Sequence, residues 1–212
     1  MKLKLTQNKM RIAIDINNVI RDNMYQFREM FQRHIDPSFE IELDEITSFN
    51  EEEVYPFASK QELFQFKYVD YPFELFARAE ATDKMLPYAL NDYLEKTLRD
   101  LDEENVPEVM FFSPFEMGLS IQATFAFLSG KTLRPREVYF PKDSMTIFDR
   151  ADIVITAQPS LIENCPEGKY VIKINKPFNK DIETKYSFNS LMDLINDENE
   201  TVIKILENRI NG

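Results

Sequence analysis

Short apolar runs alternate along the chain with longer segments whose apolar residues recur at helical spacing. Each run is four or five residues long and rich in β-branched and aromatic residues, which is typical of buried strands. Five strands are predicted, at 11–15, 109–113, 137–140, 152–156 and 170–174. Because strands that alternate with helices form βαβ units, this order predicts an α/β fold, with a parallel sheet covered by helices on both faces.

The segments between these runs carry the helical signals. Met24, Phe27, Met30 and Phe31 recur at helical spacing in a helix that is predicted to end near His34, which we expect to be a capping or surface residue. Another helix has the apolar face Leu90, Leu94, Thr97, Leu98 and Leu101. Further helices are predicted at 60–68, 73–79, 116–128 (ended by Gly130) and 188–210.

The segment 36–83 differs from the rest in composition, because it is rich in Phe, Tyr and Glu and is interrupted by prolines. We interpret it as an insertion into a single domain, 1–212, whose core consists of about 9–35 and 84–212. Its aromatic residues are predicted to form the core of the insertion rather than a surface for stacking bases. They are Phe64, Phe66, Phe73 and Phe76.

Composition excludes several classes of protein. The net charge of −12 gives no long-range attraction to a phosphate backbone, so general nucleic-acid binding is not expected. No apolar stretch is long enough to span a membrane, and Cys165 has no second cysteine for a disulfide, so we expect a cytoplasmic protein. The 4 glycines form no phosphate-binding loop of the Walker or dinucleotide type.

Polar residues follow the predicted strands. Asp15, Ser113 and Thr156 each end a strand, and Lys142 follows another by two residues. Because the carboxyl ends of parallel strands lie on one edge of a sheet, these four side chains can converge there. Taken singly, three of them have an ordinary alternative: Asp15 and Ser113 as caps, and Lys142 as a solvated charge.

Residues 15–22, Asp-Ile-Asn-Asn-Val-Ile-Arg-Asp, together with the Pro-Phe-Asn element at 177–179, resemble the haloacid dehalogenase (HAD)-like superfamily in its 5'-nucleotidase, or 5'(3')-deoxyribonucleotidase-like, branch. The resemblance implies a Rossmannoid sheet with an inserted helical cap at about 36–83. It also implies that Asp15 is a nucleophile that forms an aspartyl-phosphate with the help of Mg²⁺. Ser113 and Lys142 match the phosphate-binding positions.

The chain departs from the family at the residues that carry the chemistry. The family's second aspartate acts as a general acid and base. This chain has Asn17 at that position, and its amide does not exchange protons at neutral pH. The family has two acids after the fourth strand, and this chain has Thr156 and Ala157 at those positions. Asp15 alone therefore remains certain as a metal ligand, with Asp22 and Asp143 as possible substitutes.

These departures predict a catalytically impaired, nucleotidase-like protein that serves as a structural or binding module, for example in a phage virion or another assembly. No cofactor is expected, and the partner is predicted to be another protein or a second copy, with a small phosphorylated ligand also conceivable. The alternative is a Mg²⁺-dependent 5'-nucleotidase that hydrolyses nucleoside monophosphates through Asp15. A third hypothesis is metal-independent chemistry of Asp15 on a non-phosphate substrate. The Asn-, Lys- and Ile-rich composition is typical of a phage or bacterial AT-rich genome.

Overall fold

The computed structural model describes residues 9–97, 106–198 and 200–210. Its centre is a sheet of six parallel strands in the order β3-β2-β1-β4-β5-β6. The strands are β1 (Arg11–Asp15), β2 (Glu108–Phe112), β3 (Val138–Tyr139), β4 (Ile153–Thr156), β5 (Tyr170–Ile174) and β6 (Ser187–Phe188). The predicted α/β fold with a parallel sheet is therefore confirmed.

Strand β1 lies in the middle of the sheet because both of its faces are apolar. Ile12 and Ile14 pack into the core on one face, and Ala13 packs into a second core on the other. A strand covered on both sides is a continuous apolar run rather than an alternating one, as the sequence pattern indicated. Its last residue, Asp15, pairs in register with Phe112 of β2, and Ile14 pairs with Ile155 of β4.

Helices surround the sheet. They are α1 (Asn23–His34), α2 (Glu51–Val54), α3 (Lys60–Gln65), α4 (Leu86–Asp92), α5 (Leu119–Gly130), α6 (Pro159–Glu163), α7 (Leu191–Ile195) and α8 (Thr201–Ile210). Helix α1 begins where the Asp22 side chain accepts a hydrogen bond from the backbone N–H of Tyr25, and it ends with Arg33 and His34, whose side chains suit the negative end of the helix dipole. His34 is exposed, as predicted.

Three features of the fold differ from the predictions. Strand β6 was missed because it contains only two residues, too few to give a pattern. The predicted C-terminal helix is two helices, α7 and α8, preceded by β6. Helix α5 begins at Leu119 rather than near residue 116, since Phe115 and Gly118 have positive φ angles of 67° and 56° that are incompatible with a helix.

The segment 36–83 packs against α1 and α5 around a third apolar cluster. Phe66 and Phe76 are buried there at 2% and 3% exposure, as predicted, but Phe64 and Phe73 are 44% and 41% exposed. The prediction was wrong for these two because the sequence does not show which face of a short helix is turned inward. The division into a core and an inserted cap at 36–83 stays a prediction.

Two further predictions concern the helix that contains Leu90 and the absence of a membrane-spanning segment. Leu98 and Leu101, predicted on the apolar face that includes Leu90, lie outside the described residues. Leu90 itself is fully buried. Within 9–97, 106–198 and 200–210, no helix has the length and apolar character needed to cross a membrane.

Candidate functional site

Asp15 lies at the carboxyl end of the central strand and is only 3% exposed. Its Oδ1 accepts a hydrogen bond of 3.1 Å from the backbone N–H of Asn17, and its Oδ2 accepts one of 2.7 Å from the hydroxyl of Thr156. Burial raises the pKa of Asp15 to about 7, although these hydrogen bonds and the nearby charge of Arg21 oppose the shift. Thr156 thus occupies, as a donor to Asp15, the place where the resemblance led us to expect an acid.

The turn after β1 directs Arg21 into the protein. Asn18 adopts a left-handed conformation with φ of 62°, which asparagine tolerates better than most residues. The backbone N–H groups of Ile20 and Arg21 both bond to the carbonyl of Ile16, so the chain closes tightly on itself before α1. The Arg21 side chain is left with no exposed surface.

Arg21 uses all five of its N–H groups within the protein. Nε and Nη2 both donate to Oδ1 of Asn17, and Nη2 also donates to Oε1 of Glu116 at 2.5 Å. Nη1 donates to the carbonyl of Phe76 at 3.0 Å and to the hydroxyl of Thr124 at 2.7 Å. A guanidinium has no further donor, so this cation is not available to a ligand.

Ser113 belongs to the same buried network. Its hydroxyl donates to Oε1 of Glu116 at 2.5 Å and accepts from Nδ2 of Asn17 at 2.9 Å. The hydroxyl of Thr124 donates to the other oxygen of Glu116 at 2.6 Å. The structure therefore brings three of the four predicted strand-end residues, Asp15, Ser113 and Thr156, to one edge of the sheet, whereas Lys142 lies outside the cavity lining. Asn17 and Ser113 are bonded directly to one another, and both are also bonded into the network of Arg21 and Glu116.

A cavity of about 100 Å³ lies over Asp15. One side comes from the sheet edge and the other from the segment 36–83. Its lining includes Asp15, Asn17, Asn18, Phe27, Phe49, Glu51, Tyr55, Lys67, Tyr68, Phe76, Phe115, Glu116, Gln158 and Phe178. Lys142 is exposed and does not belong to this lining, and Ala157 is buried at 1% exposure. The phosphate-binding roles of Ser113 and Lys142 stay predictions.

Sequence reasoning missed Arg21, Glu116 and Lys67. Charged residues in a sequence usually indicate solvent-exposed positions, and nothing in the local pattern marked these three as buried or lining a cavity. The only available signal was the position of Arg21 within the string 15–22 that begins at Asp15. Glu116 was taken as the start of a helix, whereas it lies in the loop before α5.

The donor set around Asp15 does not fit a magnesium ion. Mg²⁺ prefers oxygen ligands in an octahedron, usually with one or two carboxylates. Oδ2 of Asp15 is bonded to Thr156, Ala157 offers no side-chain donor, and Glu116 is bonded to Arg21. Among the described residues, no group of three or more His, Cys, Asp or Glu side chains is placed to hold a metal ion.

No protein-family model and no curated protein sequence matches the chain. Solved structures do match it. A haloacid dehalogenase-like hydrolase from Burkholderia xenovorans has a TM-score of 0.51 at 10% identity, with 91% of this chain and 97% of that chain covered. The HAD-hydrolase YfnB from Bacillus subtilis, solved bound to magnesium, has a TM-score of 0.52 at 11% identity, with 89% and 97% covered.

The fold and the polar edge of the sheet therefore define an α/β protein of the Rossmannoid class. More narrowly, the chain has the fold of the haloacid dehalogenase-like hydrolases. At this identity the likeness concerns the fold alone, and activity has to be argued from the site.

Proposed function

We propose that this protein is a catalytically impaired member of the HAD-like fold that serves as a binding or structural module. The observation that carries the proposal is the closed network around Arg21. Its five N–H groups bond to protein acceptors, and two of them share the amide oxygen at position 17. The side chains of Asn17 and Ser113 are thus bonded to one another, to Arg21 and to Glu116 rather than left open for a substrate.

Phosphoryl transfer requires functions that this site supplies poorly. The amide of Asn17 cannot donate a proton to a leaving group. The hydroxyl proton of Ser113 is directed to Glu116. Stabilisation of the transferred charge is the main term in such catalysis, and the one lysine in the lining, Lys67, is bonded to Glu51 at 2.7 Å. These features favour ligand binding without turnover.

The direct test is phosphate release from a panel of deoxynucleoside monophosphates with Mg²⁺, with the Asp15→Asn variant as the matched control. We expect no release above the control. Release that depends on Asp15 would overturn the proposal and establish a hydrolase.

The competing proposal is a Mg²⁺-dependent 5'-nucleotidase that works through an aspartyl-phosphate on Asp15. The observation in its favour is that Asp15 ends the central strand and lines a cavity, where the nucleophile of such an enzyme would be. The same phosphate-release assay decides between the two.

A protein partner or a second copy is supported by an exposed apolar loop next to the cavity. Phe115, Met117 and Leu119 are each 44% exposed. Several exposed apolar residues within one short segment can mark a site of association. Light scattering of the purified protein, compared with a Met117→Ser/Leu119→Ser variant, would show whether this loop holds copies together.

A further inference from the structure

The charges that line the cavity are unevenly compensated. Lys67 is bonded to Glu51, and Glu116 is bonded to Arg21, so each of these charges has an opposite partner. Among the described residues, Asp15 has no cationic nitrogen within 4.0 Å. Its carboxylate is therefore the lining charge that is left without an ion pair, and a cationic ligand would supply one.

The oxygens of this carboxylate can accept further hydrogen bonds. Each oxygen of Asp15 takes part in one described hydrogen bond, which leaves one more lone pair on each. Tyr55 lines the same cavity at 3% exposure, and its buried hydroxyl has no hydrogen-bond partner among the residues that the structure describes. Buried polar groups without a partner are uncommon, and this one belongs to a residue of the cavity lining.

The walls of the cavity are suited to a cation as well. Phe49 and Phe178 meet edge to face with their ring centroids 5.3 Å apart, and both line the cavity. The ammonium of Lys67 already lies 5.3 Å from the ring centroid of Tyr68 and 5.9 Å from that of Phe27. Aromatic faces attract ammonium groups, so this cavity stabilises one ammonium that belongs to the chain itself.

We propose that the cavity binds a small organic ammonium ion, whose N–H groups donate to Asp15 and whose alkyl part packs against Phe49 and Phe178. This inference rests on the proposed function, binding without phosphoryl transfer. The volume of about 100 Å³ limits the ligand to a few heavy atoms, since a cavity of about 150 Å³ holds one benzene. A phosphate group would meet the unpaired carboxylate of Asp15, and no arginine is among the described residues that line the cavity.

The test is a calorimetric titration of the whole protein with three ligands of one shape and different charge: isobutylamine, isobutanol and isobutyrate. Inorganic phosphate is the fourth probe, and all titrations are in mildly alkaline buffer with a chelator. We expect saturable binding of isobutylamine in the millimolar range, about tenfold or more tighter than isobutanol, and none of the two anions. Asp15→Asn should reduce the affinity for isobutylamine to that for isobutanol. The control substitution Asp181→Asn, at an exposed residue, should leave the affinity for isobutylamine unchanged.

Equal affinity for amine and alcohol, tighter binding of isobutyrate or phosphate, or no saturable binding of the amine would each overturn the inference. These outcomes are measured on the unaltered protein, so the argument does not depend on a variant that folds poorly. Phosphate release that depends on Asp15 would instead overturn the proposed function, so the two failures are distinguishable.

Discussion

Replacing Arg21 by methionine should destabilise the protein strongly, because it leaves Glu116 as an unpaired buried charge. The two side chains are 0% and 2% exposed and meet at 2.5 Å. Removing one partner of a buried ion pair costs about 3–5 kcal/mol. Since folded proteins are stable by only about 5–15 kcal/mol, this is a large share of the total. For a chain of this length, the midpoint of thermal unfolding should fall by about 6–20 °C.

Urea unfolding measures the loss, and the chain offers a matched control. Arg150 is 47% exposed and lies 3.4 Å from Glu137, so Arg150→Met should cost only about 0–1 kcal/mol. The double variant Arg21→Met/Glu116→Gln should recover most of the stability, because no buried charge is left unpaired. If Arg21→Met is too unstable to purify, Thr124→Val, which removes one bond to Arg21 and one to Glu116, tests the same network. A loss for Arg21→Met no larger than that for Arg150→Met would refute the reasoning, since it would mean that water enters and screens the pair.

Three further predictions concern Asp15 and the residues around it. The folded-state pKa of Asp15, about 7, lies above its ordinary value of 3.8, so its contribution to stability is full below pH 3.8 and is lost as the pH rises through 7. Relative to Asp15→Asn, urea unfolding with a chelator present should show a loss of about 4 kcal/mol over this range, and a flat difference would contradict the burial argument. Calorimetry should detect no one-site binding of Mg²⁺ at sub-millimolar concentration; a clear isotherm that Asp15→Asn abolishes would show that the donor set does fit the metal. The triple variant Asn17→Asp/Thr156→Asp/Ala157→Asp should gain Mg²⁺ binding yet release no more phosphate from an aryl phosphate than the same variant with Asp15→Asn, and substantial release would contradict the role assigned to Arg21.

Much of the framework could be predicted because it depends on short-range pattern. The apolar run that ends at Asp15 is buried on both faces, and such a run has few alternatives to a central parallel strand. Once the strands are placed, the ends at Asp15, Ser113 and Thr156 must share one edge of the sheet. Because Ile14 pairs with Ile155, Asp15 and Thr156 end neighbouring strands side by side, which is where the hydrogen bond between them forms.

The network of Arg21 could not be predicted in the same way, because it depends on two backbone conformations that the sequence pattern does not indicate. Asn18, with φ of 62°, turns the chain so that Arg21 points inward. Phe115, with φ of 67°, places Glu116 in a loop where it bonds to Arg21 instead of starting a helix. A bulky residue with positive φ is a strained exception that only the surrounding packing can hold in place. Strand β6 was not predicted for a simpler reason: two residues are too few to show a hydrophobic pattern.

The guanidinium of Arg21 also decides what an acid at position 17 could do. Arginine stays charged at any ordinary pH. Because the Arg21 side chain has no exposed surface, its charge is stabilised by the protein acceptors around it rather than by solvent. A neutral amide oxygen at position 17 accepts two of its N–H groups without adding charge. A carboxyl group in that place would be held ionised by the same guanidinium, because a nearby opposite charge favours the charged form. An acid that remains ionised cannot protonate a leaving group. The asparagine at 17 and the buried arginine at 21 are therefore one arrangement rather than two separate departures, and returning the acid alone would restore the family's sequence pattern without its proton donor.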